Sequence, residues 1–174
     1  MSEEDPNVAA LEKCLESVLK GLAYRGLTGS TERLDGEVRV TYEGPTGTNA
    51  VFLRLGGIRL IGRLVEVPPE RQGTTLVLLS LLNLYSYDGT FFVDDGGWAC
   101  FRVSSLIPVR HLSSESIDFM LQHLLVMLNN TADWLQQFVS DPELKPTQAI
   151  ENWPILRKGS EISAAARVEN ERGL

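Results

Sequence analysis

Two β-rich runs, 50–55 and 58–67, are separated only by Gly56-Gly57. No other feature restricts the fold of this chain as much. Paired glycines between strands mark a tight hairpin, because the central positions of such turns favour positive φ, so the two runs are expected to pair antiparallel. Pro68-Pro69 ends the second run, since proline has no N–H to give to a ladder. Upstream, 38–43 alternates, with Val38, Val40 and Tyr42 on one side, and Gly44-Pro45-Thr46-Gly47 turns the chain back. Three strands therefore form a meander. A second hairpin is expected from 90–93 and 97–103, joined through Asp94-Asp95-Gly96-Gly97, and 106–109 reads as its extension or as an edge because of Pro108.

Helical periodicity flanks these strands. Val8, Leu11, Leu15, Val18, Leu19 and Leu22 recur at spacings of three and four over 8–24, with Glu12, Lys13, Glu16 and Lys20 opposite, and Gly26 can end this helix. The run 74–87 is apolar nearly all round. Its length and its leucine content favour a helix over a buried strand, with Thr74 or Thr75 as N-cap. One sheet face cannot cover such a helix, so a homodimer is expected to bury the remainder. Residues 113–140 read as a long helix capped by Ser113 or Ser114, with Glu115 and Asp118 in its first turn. The order α-βββ-α-ββ-α implies an α+β fold, an antiparallel sheet with helices packed on one face. Residues 1–140 form the expected domain and 141–174 a C-terminal extension. Pro142, Pro146 and Pro154 interrupt regular structure there, but Ala149, Ile150, Trp153, Ile155 and Leu156 are apolar anchors, so docking is expected as far as Leu156. Residues 163–172 read as a weak helix.

The chemistry-bearing residues point away from catalysis. The two cysteines, Cys14 and Cys100, lie in separate apolar patterns and make neither a disulfide framework nor a zinc site. His111 and His123 are the only ordinary general bases near neutral pH, and no nucleophile elbow accompanies them. Asp94-Asp95 reads as a turn former rather than a cation loop, and the glycine-rich turns lack the ending of a phosphate cradle. No enzyme activity and no cofactor are expected. With 174 residues and a net charge of −7, the chain is a poor general binder of phosphate backbones, so nucleic acid affinity is expected to be weak. No run reaches the roughly 20 apolar residues of a membrane span, and the acidic start, Ser2-Glu3-Glu4-Asp5, fits neither a secretory nor a mitochondrial signal. A cytoplasmic location is expected.

Two surfaces remain. Arg54, Arg59 and Arg63 sit on the central hairpin, and Arg59 and Arg63 share a face with Ile61 and Val65. This reads either as a solvated sheet face or as a docking surface for an acidic peptide or a nucleic acid strand. Phe91, Trp98 and Phe101 make the second hairpin aromatic, either as core or as the lining of a groove for an extended segment of another protein.

The order of elements, the stretch Leu78-Leu79-Ser80-Leu81-Leu82-Asn83-Leu84-Tyr85 and the aromatic hairpin from Gly89 to Val103 resemble the YbjN family and the related type III secretion chaperones. The long last helix after Leu112-Ser113 fits the same pattern over about residues 8 to 140. The resemblance implies a small, acidic, non-enzymatic dimer that holds segments of partner proteins through apolar patches. It places the dimer interface on Leu78, Leu81, Leu82 and Tyr85, and it does not extend past Asp141. The expected function is a chaperone-like adaptor for protein clients. The alternative is a regulator that contacts nucleic acid, or a nucleic-acid-processing complex, through the arginine face.

Overall fold

A computed structural model describes residues 6–86 and 88–156. Helix α1 (Pro6–Tyr24) is followed by strands β1 (Gly29–Leu34), β2 (Glu37–Gly44), β3 (Gly47–Arg54) and β4 (Gly57–Glu66). Helix α2 (Gln72–Asn83), strands β5 (Thr90–Val93) and β6 (Trp98–Ser105), and helices α3 (Ser114–Ser140) and α4 (Pro146–Glu151) complete the chain. The strands form one six-stranded sheet in the order β1-β2-β3-β4-β6-β5, with every neighbouring pair antiparallel. This is the α+β architecture expected, with one strand more before α2.

That strand, β1, carries no apolar alternation, and almost all of it is exposed. It is an edge strand held by its ladder to β2 rather than by a buried face, so periodicity gave no sign of it. The central hairpin also turns one residue earlier than expected. Arg54 pairs with Gly57, so Leu55-Gly56 make the turn, and neither has positive φ. Gly57, the first residue of β4, carries the positive φ, at 155°, and is needed for space as well. A Cβ there would lie 2.1 Å from the Ser105 carbonyl oxygen of β6.

The helices cover one face. Val38, Val40, Tyr42, Val51, Leu53, Ile58 and Leu60 point from β2–β4 into a core shared with α1 and α3. Gly62 lets α3 approach β4, since a Cβ there would meet the Leu128 side chain at 2.5 Å. Arg25 donates to Asp118 at 2.6 Å and ties α1 to α3. Ser113 caps α3 by accepting from the Ser116 N–H at 3.1 Å.

Helix α2 begins at Gln72 after a single turn at Pro69–Arg71 and stops at Asn83, shorter than the 74–87 expected. Thr75 lies buried inside it rather than capping it. Asn83 then mimics a ladder partner: its Nδ2 donates to the Phe91 carbonyl at 2.9 Å, and its Oδ1 accepts from the Phe91 N–H at 2.7 Å. The amide thereby satisfies part of the free edge of β5.

The C-terminal extension belongs to the same core as far as Leu156. Pro146 sits in the first turn of α4, where a missing N–H costs nothing. Trp153 is 1% exposed; its indole N–H donates to Thr131 Oγ1 at 3.3 Å, and its ring meets Phe91 edge-on at 6.0 Å. Ile150, Ile155 and Leu156 pack against that core. The expected helix at 163–172 lies outside the described residues.

Candidate partner-binding surface

Among the described residues no helix packs on the second face of the sheet. The register sorts its residues into rows across the strands. Glu32, Arg39, Phe52, Arg59 and Ser104 form one row, and Thr41, Ala50, Ile61, Arg102 and Thr90 form the next. Arg63, Cys100 and Phe92 follow, then Glu66 and Trp98. Arg54 and Glu37, joined by an ion pair just past the last β2–β3 pair, lie at the opposite end, beside the β3–β4 turn. Side chains two residues apart on a strand share a face, so this assignment follows from the pairing alone.

A β-bulge between Arg63 and Val65 shifts this pattern. Val65 is 3% exposed and belongs to the core, so it does not share a face with Arg59 and Arg63 as its spacing suggested. On the other side of β4, where the β3–β4 ladder ends at the Ala50–Ile61 pair, Asn49 and Thr46 continue it. The Arg63 N–H donates to Asn49 Oδ1 at 3.0 Å, and the Thr46 hydroxyl donates to the Arg63 carbonyl. These bonds fix the backbone from which the Arg63 side chain leaves.

Arginine and aromatic side chains alternate over the face. The guanidinium of Arg39 stands 5.2 Å from the Phe52 ring centroid, that of Arg63 5.3 Å from Trp98, and that of Arg102 5.6 Å from Phe92. Three arginines also hold carboxylates: Arg39 with Glu32 at 3.3 Å, Arg54 with Glu37 at 2.5 Å, and Arg63 with Asp94 at 3.2 Å. Asp94 in addition accepts from the N–H groups of Gly96 and Trp98, both at 2.9 Å, which sets the β5–β6 turn. Arg59 and Arg102 have no carboxylate partner among the described residues. Two shallow cavities indent the face. One, of about 450 Å³, includes Arg54, Arg59, Arg102 and Ser104 in its lining; the other, of about 320 Å³, includes Arg39, Ile61, Arg63 and Phe92.

The structure thus brings Arg54, Arg59, Arg63 and Trp98 together and adds Arg39, Arg102, Phe52 and Phe92. Phe91 and Phe101 are not part of this surface. They are 2% and 0% exposed and meet at a tilt in the core, with ring centroids 4.7 Å apart, because residues one apart from Phe92 and Arg102 must face the other way. Arg39 and Phe52 carry no marker of their own in the sequence; alternation combined with the cross-strand register identifies them.

The interface residues expected on α2 also divide. Leu78 and Leu82 are fully buried against the chain's own core and are not available to a second copy. Leu81 is half-buried, and Tyr85 is exposed beside Leu76, Val77 and Leu84. The physical reason is that α2 packs against both β5 and α4, so the C-terminal extension covers the side that a partner copy was expected to cover.

Other groups offer little chemistry. Burial pushes the Cys14 thiol up to about 11, and burial together with the Asp94 charge pushes Cys100 up to about 12, so neither is a thiolate at neutral pH. The His123 ring is stacked on Phe119, with centroids 6.3 Å apart. Among the described residues no group of three or more His, Cys, Asp or Glu side chains is placed to hold a metal ion, and no helix is long and apolar enough to cross a membrane. Compared with known proteins, the chain matches no family model and no curated protein sequence.

Proposed function

We propose that this protein is a non-catalytic, cytoplasmic adaptor that docks a segment of a partner protein across the open face of its sheet. The observation that carries this reading is the face itself: five arginines interleaved with Phe52, Ile61, Phe92 and Trp98, with no helix of the described residues over them. Guanidinium groups laid over rings combine apolar contact with outward-pointing donors, a mixture suited to protein recognition. The buried, protonated thiols, with no base among the described residues paired to them, favour binding over nucleophilic chemistry. The resemblance to the YbjN family and type III secretion chaperones is part of the same proposal, with docking moved from an apolar hairpin groove to the sheet face.

A homodimer belongs to this reading through the outward side of α2 and the turn that follows it. Leu76, Val77, Leu84 and Tyr85 are each at least half exposed, and they lie on a different element from the arginine face.

A photo-crosslinking residue in place of Ala50, at the centre of the open face, tests the docking. In the native cell it should yield a discrete protein adduct that survives nuclease treatment, while the same residue in place of Lys20 on α1 should not. A nuclease-sensitive adduct would transfer the face to the nucleic acid alternative, and identical adducts from both positions would reject it as a specific surface. Sedimentation of Leu84→Asp and Val77→Asp as monomers, against a dimeric parent, is the expected result for α2.

A further inference from the structure

Arg59 and Arg102 differ from the other arginines of the open face. Arg39, Arg54 and Arg63 each hold a carboxylate of this chain. The side chains of Arg59 and Arg102 have neither an ion pair nor a hydrogen bond among the described residues, and the Nε of Arg102, like that of Arg39, is buried without a partner. The two are diagonal neighbours on adjacent strands, since Arg59 lies opposite Ser104 and Arg102 opposite Ile61. Diagonal positions on one sheet face have Cβ atoms about 7–8 Å apart, a span that two guanidinium groups bridge onto one carboxylate. Both line the cavity of about 450 Å³, which Phe52, Ser104 and Leu106 also line. The Glu37 carboxylate at its margin is neutralised by Arg54. The cavity therefore carries two guanidinium charges that nothing in the described chain balances.

We propose that this cavity is a binding site for a carboxylate side chain of an acidic, extended segment of a partner protein, with Arg59 and Arg102 as its paired donors and the Ser104 hydroxyl, on β6 opposite Arg59, beside them. The proposal rests on the open face being the docking surface and adds the chemistry of its anchor. Charge complementarity selects the occupant. The chain as a whole carries −7 and repels a polyanion over most of its surface, whereas an excess of two guanidinium groups at one spot suits one or two carboxylates. Base stacking is disfavoured there, because Phe52, the aromatic residue of the lining, already lies beneath Arg39. Leu106, 91% exposed on the margin, offers an apolar contact to the residue beside the bound acid.

The test uses the full chain, isotope-labelled for amide NMR, titrated with a fluorescein-labelled octapeptide of alternating Glu and Val and, separately, with a twelve-nucleotide oligothymidine. Saturable peptide binding with amide shifts centred on 59, 102 and 104 is expected. It should weaken at least tenfold in Arg59→Ala and in Arg102→Ala, and recover only in part in Arg102→Lys, which keeps the charge but not the fork. Arg33→Ala, on the exposed β1, should change nothing. Thermal melts of the variants check that they fold, and Arg102→Gln serves as the substitute if Arg102→Ala does not. Peptide shifts confined to the Arg39–Arg63–Trp98 half of the face, unaltered in Arg59→Ala, would overturn the anchor and leave the sheet-face reading standing. No binding at millimolar peptide, or shifts on α2, would overturn both. Tighter binding of oligothymidine through the same arginines would replace the acidic segment by nucleic acid.

Discussion

Arg71 is a buried cation whose partners lie entirely in the C-terminal part of the chain, and its removal makes a quantitative test of how that part is held. Its side chain is 8% exposed and crosses from the start of α2 to the end of α3. Nη2 donates to the Phe138 carbonyl at 2.7 Å and to Leu144 at 3.4 Å, and Nη1 donates to Pro142 at 3.3 Å. The guanidinium also lies 4.6 Å from the Phe138 ring centroid. Phe138 and its neighbours end α3, where carbonyls lack helical partners and the dipole favours a cation. A hydrogen bond from a charged donor contributes about 1.5–3 kcal/mol when well made, and the two long bonds here contribute less. Arg71→Ala should therefore lower stability by about 3 kcal/mol, and Arg71→Lys should lose roughly half as much, since one ammonium cannot serve three divergent carbonyls. Urea denaturation measures the loss. Hydrogen exchange over 146–156 locates it, because the amides of Ala149 and Trp153 are bonded within α4 and the turn after it. Exchange there should rise in Arg71→Ala well before exchange in β2–β4. A loss under about 1 kcal/mol with unchanged exchange at 146–156 would refute the reasoning and leave the apolar contacts of Ala149, Trp153 and their neighbours to hold the extension.

Three further results are expected. Asn83→Ala removes both bonds to the Phe91 backbone and should cost about 2 kcal/mol by urea denaturation; Asn83→Asp should be at least as damaging, because a carboxylate has no N–H for the Phe91 carbonyl. The hydrogen bond from Arg25 holds the Asp118 carboxyl below the usual carboxylate range, so the stability it adds is complete above the unfolded value near 3.9 and is lost as pH falls through the folded one. Asp118→Asn should flatten that acid limb, modestly and less so in high salt, since the aspartate side chain is half exposed. With their thiols raised to about 11 and about 12, Cys14 and Cys100 should resist a thiol reagent at pH 8 in the folded protein and react at once in denaturant. Rapid reaction of either in the folded chain would contradict its burial.

The amino-acid sequence by itself determined which residues point inward wherever a regular period met a strong apolar contrast. Val38, Val40 and Tyr42 alternate and are buried together, and the stripe of α3 from Ile117 to Phe138 faces the core as its spacing requires. Ser113 as N-cap and the Asp94 turn were legible because their side chains bond to backbone only a few residues away. Arg54, Arg59 and Arg63 could be seen as one group for a similar reason, being carried by a single hairpin. What only the tertiary structure decided depends on partners distant in sequence. Strand β1 exists through its ladder to β2 and has no apolar signature. Val65 left the arginine face because a bulge adds one residue to β4 opposite β6. Arg39, Phe52, Phe92 and Arg102 joined that face because register aligns four strands, and a one-residue change in register would have sent each of them to the other side. Leu78 and Leu82 were claimed by their own chain for the same kind of reason: α4 and Trp153 return more than sixty residues later to the side of α2 and β5. Local periodicity records that such a side is apolar, and long-range packing alone determines what covers it.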